Sequence, residues 1–298
     1  MSTKSKLKWG IGGAYIGGMI LIVTFFGAKR LDNPDFMPAE EFKLLPWVDL
    51  PGPMDINKGV LYLFITTTLT LATMLWISKR MEAKPNRVQT ALEWLYAVMR
   101  DTVVKDNMDD DMARKWFPFV GTLFVFIWIS NLIGYIPLPV NSGAPFKLFG
   151  VDIPSFQIYA ATANVSIPLV LALIVFFAYN IEGIRAKGVW GYTKSVIPPG
   201  VKGPILIMIA PLEFLSHFLR LVSLTVRLFA NLLAGHMLIQ FMSGGLAVLL
   251  GLEVLAWFTL PAGIAIFLFE VTLIATLQAF IFAILTSIYL GTAVAESH

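Results

Sequence analysis

One charged residue lies deep inside an apolar stretch of this sequence. Arg227 occurs within residues 223–236, and the surrounding run from 203 to 243 is apolar over 41 residues. An arginine at the centre of a membrane helix costs roughly 2.5 to 3.5 kcal/mol on insertion scales, and residues placed there are usually paired or lie on an ion pathway. The alternative is an arginine that reaches the lipid headgroups, but apolar residues extend on both sides of Arg227. The placement predicts a functional cation inside a bilayer.

Other polar residues share a helical face with Arg227. At about 100° per residue, Arg220, Ser223 and Asn231 fall in the same sector, and Glu213 joins them. Polar stripes in membrane helices are normally buried against a partner or line a water-filled cavity. As a helix the whole run would be about 61 Å long, twice the hydrocarbon core, so it either breaks or lies strongly tilted.

The last apolar run, residues 244–294, contains two more side chains that are costly in hydrocarbon. Glu270 is expensive there whether neutral or charged, and Gln278 must find hydrogen-bond partners. Pro261 predicts a short segment followed by a long helix over about 262–292. The hydroxyls of Thr272, Thr286 and Ser287 are explained more simply by bonds to carbonyls of their own helix.

The composition is that of a membrane protein. Of the 298 residues, 57% are hydrophobic and only 14% are charged. The absence of cysteine excludes disulfides and thiolate metal sites, and three histidines do not suggest a histidine-rich metal centre. No glycine-rich phosphate loop occurs. The sequence therefore predicts no metal and no cofactor.

Four earlier segments would supply the elements that position this stripe. Apolar runs that could span a membrane occupy residues 9–28, 59–78, 116–137 and 156–179. The first is either a signal peptide or an uncleaved anchor, and its length and weak cleavage site favour an anchor helix. An acidic, proline-rich loop at 29–57 completes an N-terminal extension, 1–57, ahead of a membrane domain, 58–298.

Two further features concern the membrane surface. Residues 88–101 repeat apolar side chains at helical spacing between charges, which predicts an amphipathic surface helix, the alternative being a partly buried spanning helix. Lys and Arg are also unevenly distributed. The loops after residues 78 and 179 hold twelve of them against five on the opposite side, which places those loops and the N-terminus in the cytoplasm.

Several of these segments resemble one known family, subunit a of the F-type ATP synthases, over about residues 59–290. The matching motifs are Ser223-Leu-Thr-Val-Arg-Leu-Phe-Ala-Asn followed by Ala-Gly-His236, Leu277-Gln-Ala-Phe-Ile-Phe-Ala-Ile-Leu-Thr286 followed by Tyr289-Leu, Asn131-Leu-Ile-Gly-Tyr-Ile-Pro137, Ala163-Asn-Val-Ser166 and Gln89-Thr-Ala-Leu-Glu93.

The resemblance implies a fold and a set of partners. The expected fold is an all-α integral membrane protein with spanning helices, a surface amphipathic helix and two long, strongly tilted C-terminal helices packed against a c-ring. The expected partners are the c-subunit ring, b-type peripheral stalk subunits, the remaining ATP synthase complex and the lipid bilayer, with no nucleic acid. The expected location is a bacterial plasma membrane, and the subunit itself would not be an enzyme.

The resemblance also implies roles for individual residues. Arg227 would keep a ring carboxylate ionised as it passes between two offset proton half-channels, and would block proton leak. Asn231 and Gln278 would orient or solvate Arg227. His236 and Glu270 would form the outer half-channel and Glu213 the inner one. His236 has an alternative interpretation as a neutral, hydrogen-bonded packing residue.

The sequence departs from the family pattern at two positions. The family usually carries the outer ionisable residue seven positions before the glutamine, where this chain has Val271, and Glu270 lies about 100° from it on an ideal helix. A local bulge could restore the position of Glu270. The acidic residue that some members carry in the first hairpin helix is Gly134 here.

Two other classes of protein compete with this interpretation. A self-contained transporter or channel would build its own substrate site, often from paired repeats, and no internal repeat is visible. A purely structural membrane scaffold would leave Arg227, Glu270 and Gln278 without a role.

Overall fold

The structure is a computed structural model that describes residues 46–48, 56–82, 85–148, 151–196, 205–245 and 253–295. The predicted anchor helix at 9–28 and most of the predicted loop at 29–57 lie outside the described residues. What is described of that loop is a short antiparallel pair, β1 (Pro46–Val48) and β2 (Ile56–Asn57).

Seven α-helices make up most of the described chain. They are α1 (Lys58–Lys79), α2 (Arg87–Ala97), α3 (Asp110–Gly134), α4 (Ser166–Ser195), α5 (Ile205–Gln240), α6 (Glu253–Phe269) and α7 (Ala275–Val294). Shorter helical segments are the π turns Val98–Val104, Phe241–Gly245 and Glu270–Ile274 and the 3-10 turns Lys105–Asn107 and Ala161–Ala163.

The protein is an all-α integral membrane protein. Five helical stretches in the described part are long and apolar enough to cross a bilayer: Lys58–Lys79, Asp110–Gly134, Ser166–Ser195, Ile205–Ser243 and Thr259–Val294. The predicted class of all-α integral membrane protein is confirmed, whereas the tilt of the two C-terminal helices and their packing against a c-ring remain predictions. The stretch formed by α2 and the π turn Val98–Val104 is not among these five, and its charged residues Glu93, Arg100 and Asp101 favour the surface-helix interpretation of that segment.

The helix starts differ from three predicted boundaries. α3 begins at Asp110, six residues before the apolar run 116–137 that predicts this helix. The predicted span at 156–179 begins too early, because the helix starts only at Ser166. The predicted start near 262 is also wrong, since α6 begins at Glu253 and contains Pro261. A membrane helix tolerates such a proline where neighbouring groups satisfy the freed carbonyl.

The connection between α3 and α4 is a β hairpin. β3 (Leu138–Leu148) pairs antiparallel with β4 (Val151–Gln157), with register shifts along the pair. Both are edge strands, and an edge strand can hold a proline because its missing N–H need not serve a ladder. This explains why the prolines of this connection do not prevent pairing.

α5 decides between the two alternatives for the long apolar run. It is one continuous helix over 36 residues, about 54 Å, with Pro211 near its start. The run is therefore not broken within the described residues. A straight helix of that length exceeds the hydrocarbon core unless it lies tilted.

The described residues divide into two compact units. One contains the described part of Gly235–Phe269, where the π turn Phe241–Gly245 packs closely against Gly263. The other contains Leu44–Ala234 and Glu270–His298 and has an apolar core between α3, α4 and α7. The predicted division at residues 57 and 58 remains a prediction.

Candidate functional site

Arg227 lies within α5 and is partly exposed. Among the described residues no carboxylate lies within ion-pair distance of its guanidinium. The same face of α5 presents small or polar exposed residues on both sides of it, Ser223, Ala230 and Ala234. Small side chains let the backbone of another helix approach closely. The face therefore carries an unpaired cation flanked by a surface on which a second helix could pack.

Asn231 and Gln278 are in direct contact, as the predicted common site requires. The Asn231 Nδ2 donates a 2.7 Å hydrogen bond to the Oε1 of Gln278, which joins α5 to α7 one turn beyond Arg227. Gln278 is only 2% exposed, so this bond satisfies an amide that would be costly to bury alone. The predicted action of this pair on Arg227 remains a prediction.

Glu270 begins the π turn that precedes α7. A π turn accommodates one residue more than an α turn, which rotates the residues before it by about 100° relative to a regular helix. This is the local bulge that the offset between Val271 and Glu270 calls for. It brings Glu270, eight positions before Gln278, to the angular position that a seven-residue spacing would give.

The Glu270 carboxyl is 7% exposed and is held by a tyrosine from α3's C-terminal end. The Tyr135 hydroxyl donates a hydrogen bond to the Glu270 Oε2 at 3.2 Å. Tyr135 was not among the predicted site residues, although it belongs to the motif Asn131–Pro137. Its signal was a tyrosine at the end of an apolar run, where an aromatic residue with a polar tip usually finds a hydrogen-bond partner once buried.

Gly134 has no space for a side chain. A Cβ atom there would lie 2.6 Å from the Ala160 Cα and closer still to its Cβ. The acidic residue that some members of the family carry at this position would therefore collide with the segment before the 3-10 turn Ala161–Ala163.

Buried polar bonds connect α3 to α7 between Glu270 and Gln278. Asn131 donates from Nδ2 to the Ala275 carbonyl at 3.2 Å and accepts at Oδ1 from the Thr162 hydroxyl at 2.9 Å. The Trp128 indole N–H donates to the Thr276 hydroxyl at 3.0 Å. Asn131 was not among the predicted site residues either, although it begins the motif Asn131–Pro137. These bonds fix α7 just after the π turn.

The predicted explanation for the helix hydroxyls holds for Thr286, which donates to the Phe282 carbonyl at 2.8 Å. Ser287 does not follow it, because its buried hydroxyl has no hydrogen-bond partner in the described part of the chain. His236 is buried but belongs to the other compact unit. Its predicted pairing with Glu270 remains a prediction.

A polar cavity lies at the N-terminal half of α5. Its volume is about 110 Å³, which exceeds the roughly 10 to 15 Å³ needed for one water molecule. Residues from α4, α5 and α7 line it: Glu213, His217, Arg220, Tyr179, Tyr192 and Thr292. Glu213 was predicted as a site residue, whereas His217 was missed. The signal for His217 was its position one helical turn after Glu213.

His217 is anchored within this cavity through α4. Its Nε2 lies 3.1 Å from the Asn180 Oδ1, which also accepts from the Tyr192 hydroxyl at 3.0 Å. The Asn180 amide nitrogen donates to the Phe176 carbonyl at 2.6 Å, which leaves its Oδ1 to face His217 and Tyr192. The contact with His217 is a hydrogen bond in the tautomer that carries a proton on Nε2.

The chain of α4 bends at Gly188 to bring Tyr192 back to this cavity. Gly188 has φ 71°, a left-handed conformation that favours glycine. Tyr192 then packs on Gly183, where a Cβ atom would lie 2.6 Å from the ring Cδ2. Nearby, Lys115 of α3 forms an ion pair with the buried Glu182 of α4.

Comparison with known proteins identifies relatives over most of the chain. The family model described as ATP synthase A chain matches residues 60–291. The ATP synthase subunit a of Bradyrhizobium diazoefficiens is 33% identical over 240 residues, covering 79% of this chain and 88% of that protein. The protein of the same name from Paramagnetospirillum magneticum is 32% identical over 266 residues, covering 86% and 98%. That from Rhodopseudomonas palustris is 35% identical over 244 residues, covering 80% and 87%.

Proposed function

The chain belongs to the ATP synthase A chain family, and on that premise we propose that it provides two offset proton half-channels to a rotating ring of c subunits. As a family member it is a multi-pass membrane subunit of an ATP synthase complex, in the sector that translocates protons. The bacterial relatives support a plasma-membrane location. ATP chemistry takes place on other chains of the complex.

The observation that carries the proposal is the unpaired Arg227. A cation within an apolar helix needs a counter-charge, and the described part of this chain offers none within ion-pair distance. The small exposed residues beside it favour close approach by a helix of another subunit. Each c subunit supplies both of these: a helix that can pack beside Arg227, and a carboxyl on that helix that carries the negative charge.

Arg227 then acts by electrostatics. Two unit charges 4 Å apart at an effective dielectric near 20 attract by about 4 kcal/mol, which favours the ionised form of a passing ring carboxyl. The carboxyl releases its proton near the arginine and cannot carry it past. Asn231 and Gln278, bonded to each other one turn away, solvate the site and limit where the guanidinium can lie.

The half-channels lie on either side of Arg227. Glu270, buried beside α3 and placed by the π turn, takes up protons on the outer side, together with His236. The polar cavity lined by Glu213 and His217 serves the inner side, because its volume admits water between α4 and α5. The b-type peripheral stalk subunits hold this subunit still while the ring turns.

The deciding experiment replaces Arg227 in the complete complex reconstituted into vesicles. Arg227→Ala should abolish ATP synthesis driven by an imposed proton gradient, while ATP hydrolysis by the soluble head stays measurable and passive proton leak rises. Arg227→Lys should also fail, because an ammonium lacks the planar fork and reach of a guanidinium.

A matched control separates this effect from the loss of any arginine. Arg185 is exposed at the far end of α4, so Arg185→Ala should leave synthesis unchanged. Synthesis near the wild-type rate in Arg227→Ala would refute the proposal.

A further inference from the structure

We propose that Tyr135 is a positioning residue of the outer proton path, which holds the Glu270 carboxyl in place and remains bonded to it in both protonation states. This inference rests on the proposed role of Glu270. It concerns a side chain that the comparison of motifs does not single out, and it depends on the contact between the end of α3 and the π turn.

The first support is the isolation of Glu270. Its side chain is buried, and among the described residues the Tyr135 hydroxyl is its hydrogen-bond partner, at 3.2 Å. A buried carboxyl whose partner is removed bears the desolvation cost of the unsatisfied oxygen. The orientation of Glu270 therefore depends on Tyr135.

The second support is the way Tyr135 is fixed. It is 3% exposed and follows the last residue of α3, with its backbone N–H bonded to the Leu132 carbonyl at 3.2 Å. The preceding Gly134 is in close contact with Ala160, so the end of α3 cannot shift toward that segment. The end of α3 therefore fixes the position of the Tyr135 hydroxyl, and the π turn fixes the position of the Glu270 carboxyl that it contacts.

The third support is chemical. A phenol hydroxyl is both donor and acceptor, so by rotating its O–H it can donate to a carboxylate or accept from a protonated carboxyl. It gives up its own proton only far above neutral pH, with an ordinary pKa near 10. Tyr135 can therefore stay bonded to Glu270 while a proton arrives and leaves, without adding a second negative charge to the path.

The test is a double-mutant cycle in the complete complex. Tyr135→Phe removes only the hydroxyl, and passive proton flow through vesicles carrying it should fall about three- to tenfold, the effect of losing one hydrogen bond. Glu270→Asp keeps an ionisable group but retracts it by one methylene, about 1.5 Å, beyond reach of the hydroxyl. In that background Tyr135→Phe should cause no further loss.

Tyr159→Phe is the matched control. Tyr159 is 2% exposed and packs in the same cluster as Ile133, two residues before Tyr135. Burial raises the pKa of Tyr159, which is about 12 after a hydrogen bond with Asn164 offsets part of the rise. This control loses a comparable hydroxyl away from Glu270 and should leave proton flow at the wild-type level. Co-purification of the other subunits with each variant checks that the complex has assembled.

Infrared spectroscopy gives a second readout that packing alone does not move. The carboxyl band assigned by its loss in Glu270→Gln should shift in Tyr135→Phe and stay unchanged in Tyr159→Phe. This measurement decides the question even where Glu270→Asp conducts no protons.

Three results overturn the inference. The first is a Tyr135→Phe variant in which both the proton flow and the carboxyl band are unchanged. The second is an equal loss of proton flow when Tyr135→Phe is made in the wild type and in Glu270→Asp, which indicates a structural role. The third is wild-type flow in Glu270→Gln, which removes Glu270 from the path. That last result leaves the role of Arg227 standing wherever Arg227→Ala still abolishes synthesis.

Discussion

Replacing Gly134 by alanine tests the close approach that positions the end of α3. The glycine has an ordinary helical backbone, so alanine fits its conformation, and any loss of stability comes from packing. The new Cβ would lie 2.6 Å from the Ala160 Cα, whereas carbon atoms normally approach to about 3.5 to 4.0 Å. Because one of the colliding atoms is backbone, the helix end or the facing segment must move by about 1 Å.

Overpacking of this kind costs about 1 to 3 kcal/mol. It exceeds the gain of up to about 1 kcal/mol that a Gly to Ala change gives in a helix interior. We therefore expect Gly134→Ala to lower the free energy of unfolding. Gly121→Ala in the same helix is the control, because its Cβ would meet nothing nearer than the Phe117 Cζ at 3.9 Å. That variant should be as stable as the wild type or slightly more stable.

The measurement is denaturant titration of the purified chain in detergent, followed by its helical circular dichroism. Gly134→Ala should unfold at a lower midpoint than Gly121→Ala, and adding Ala160→Gly should recover part of the loss by removing the opposing methyl group. Equal unfolding midpoints for Gly134→Ala and Gly121→Ala would contradict the predicted collision with Ala160.

Two further predictions concern topology and the ion pair between α3 and α4. Single cysteines placed at Ser142 and Thr193 of this cysteine-free chain should react with membrane-impermeant reagents from opposite sides, Thr193 from the cytoplasm; labelling of both from one side would overturn the charge-based orientation. Lys115→Ala should destabilise the chain by about 1 to 3 kcal/mol, because it leaves the Glu182 side chain, which is 8% exposed, as a buried carboxylate without its cation. Glu182→Gln should lower the stability less, because it replaces the carboxylate by a neutral amide. Denaturant midpoints check this, and equal stability of Lys115→Ala and the wild type would contradict it.

The membrane-crossing parts of the fold could be predicted from the sequence because hydrocarbon imposes a length. Apolar runs marked the helices now seen as α1, α3, α4 and α5. Hydropathy does not show where a helix continues into water. α3 begins among charged residues at Asp110, where acidic side chains are favourable at a helix N-terminus.

The opposite error occurred before α4. The predicted span includes Tyr159, Ala160 and Ala161, but these apolar residues are buried in the segment between β4 and α4, which contains a 3-10 turn and no α-helix. Apolar composition reports burial and does not distinguish lipid contact from protein contact.

The candidate site was predicted in part. Arg227, Asn231 and Gln278 stood out because polar residues are costly in an apolar helix, and the structure brings the last two together. Tyr135 and His217 did not stand out, because a tyrosine at the end of an apolar run or a single histidine within one is unremarkable until its partner is known. Tyr135 meets a residue 135 positions away, so only tertiary packing reveals the pair.

The π turn Glu270–Ile274 also bears on how this chain should be compared with its relatives. An inserted residue in a regular helix turns everything beyond it by about 100°, which would move buried side chains away from the protein-facing side. A π turn absorbs the insertion within one turn, so α7 keeps Gln278 and Thr286 buried. A chain can thus gain or lose one residue at this turn, which shifts the acid along the sequence relative to the glutamine, without changing which residues of α7 are buried. The π turn therefore predicts that a sequence alignment places Val271, and a superposition in space places Glu270, at the position of the outer acid that the family resemblance implies.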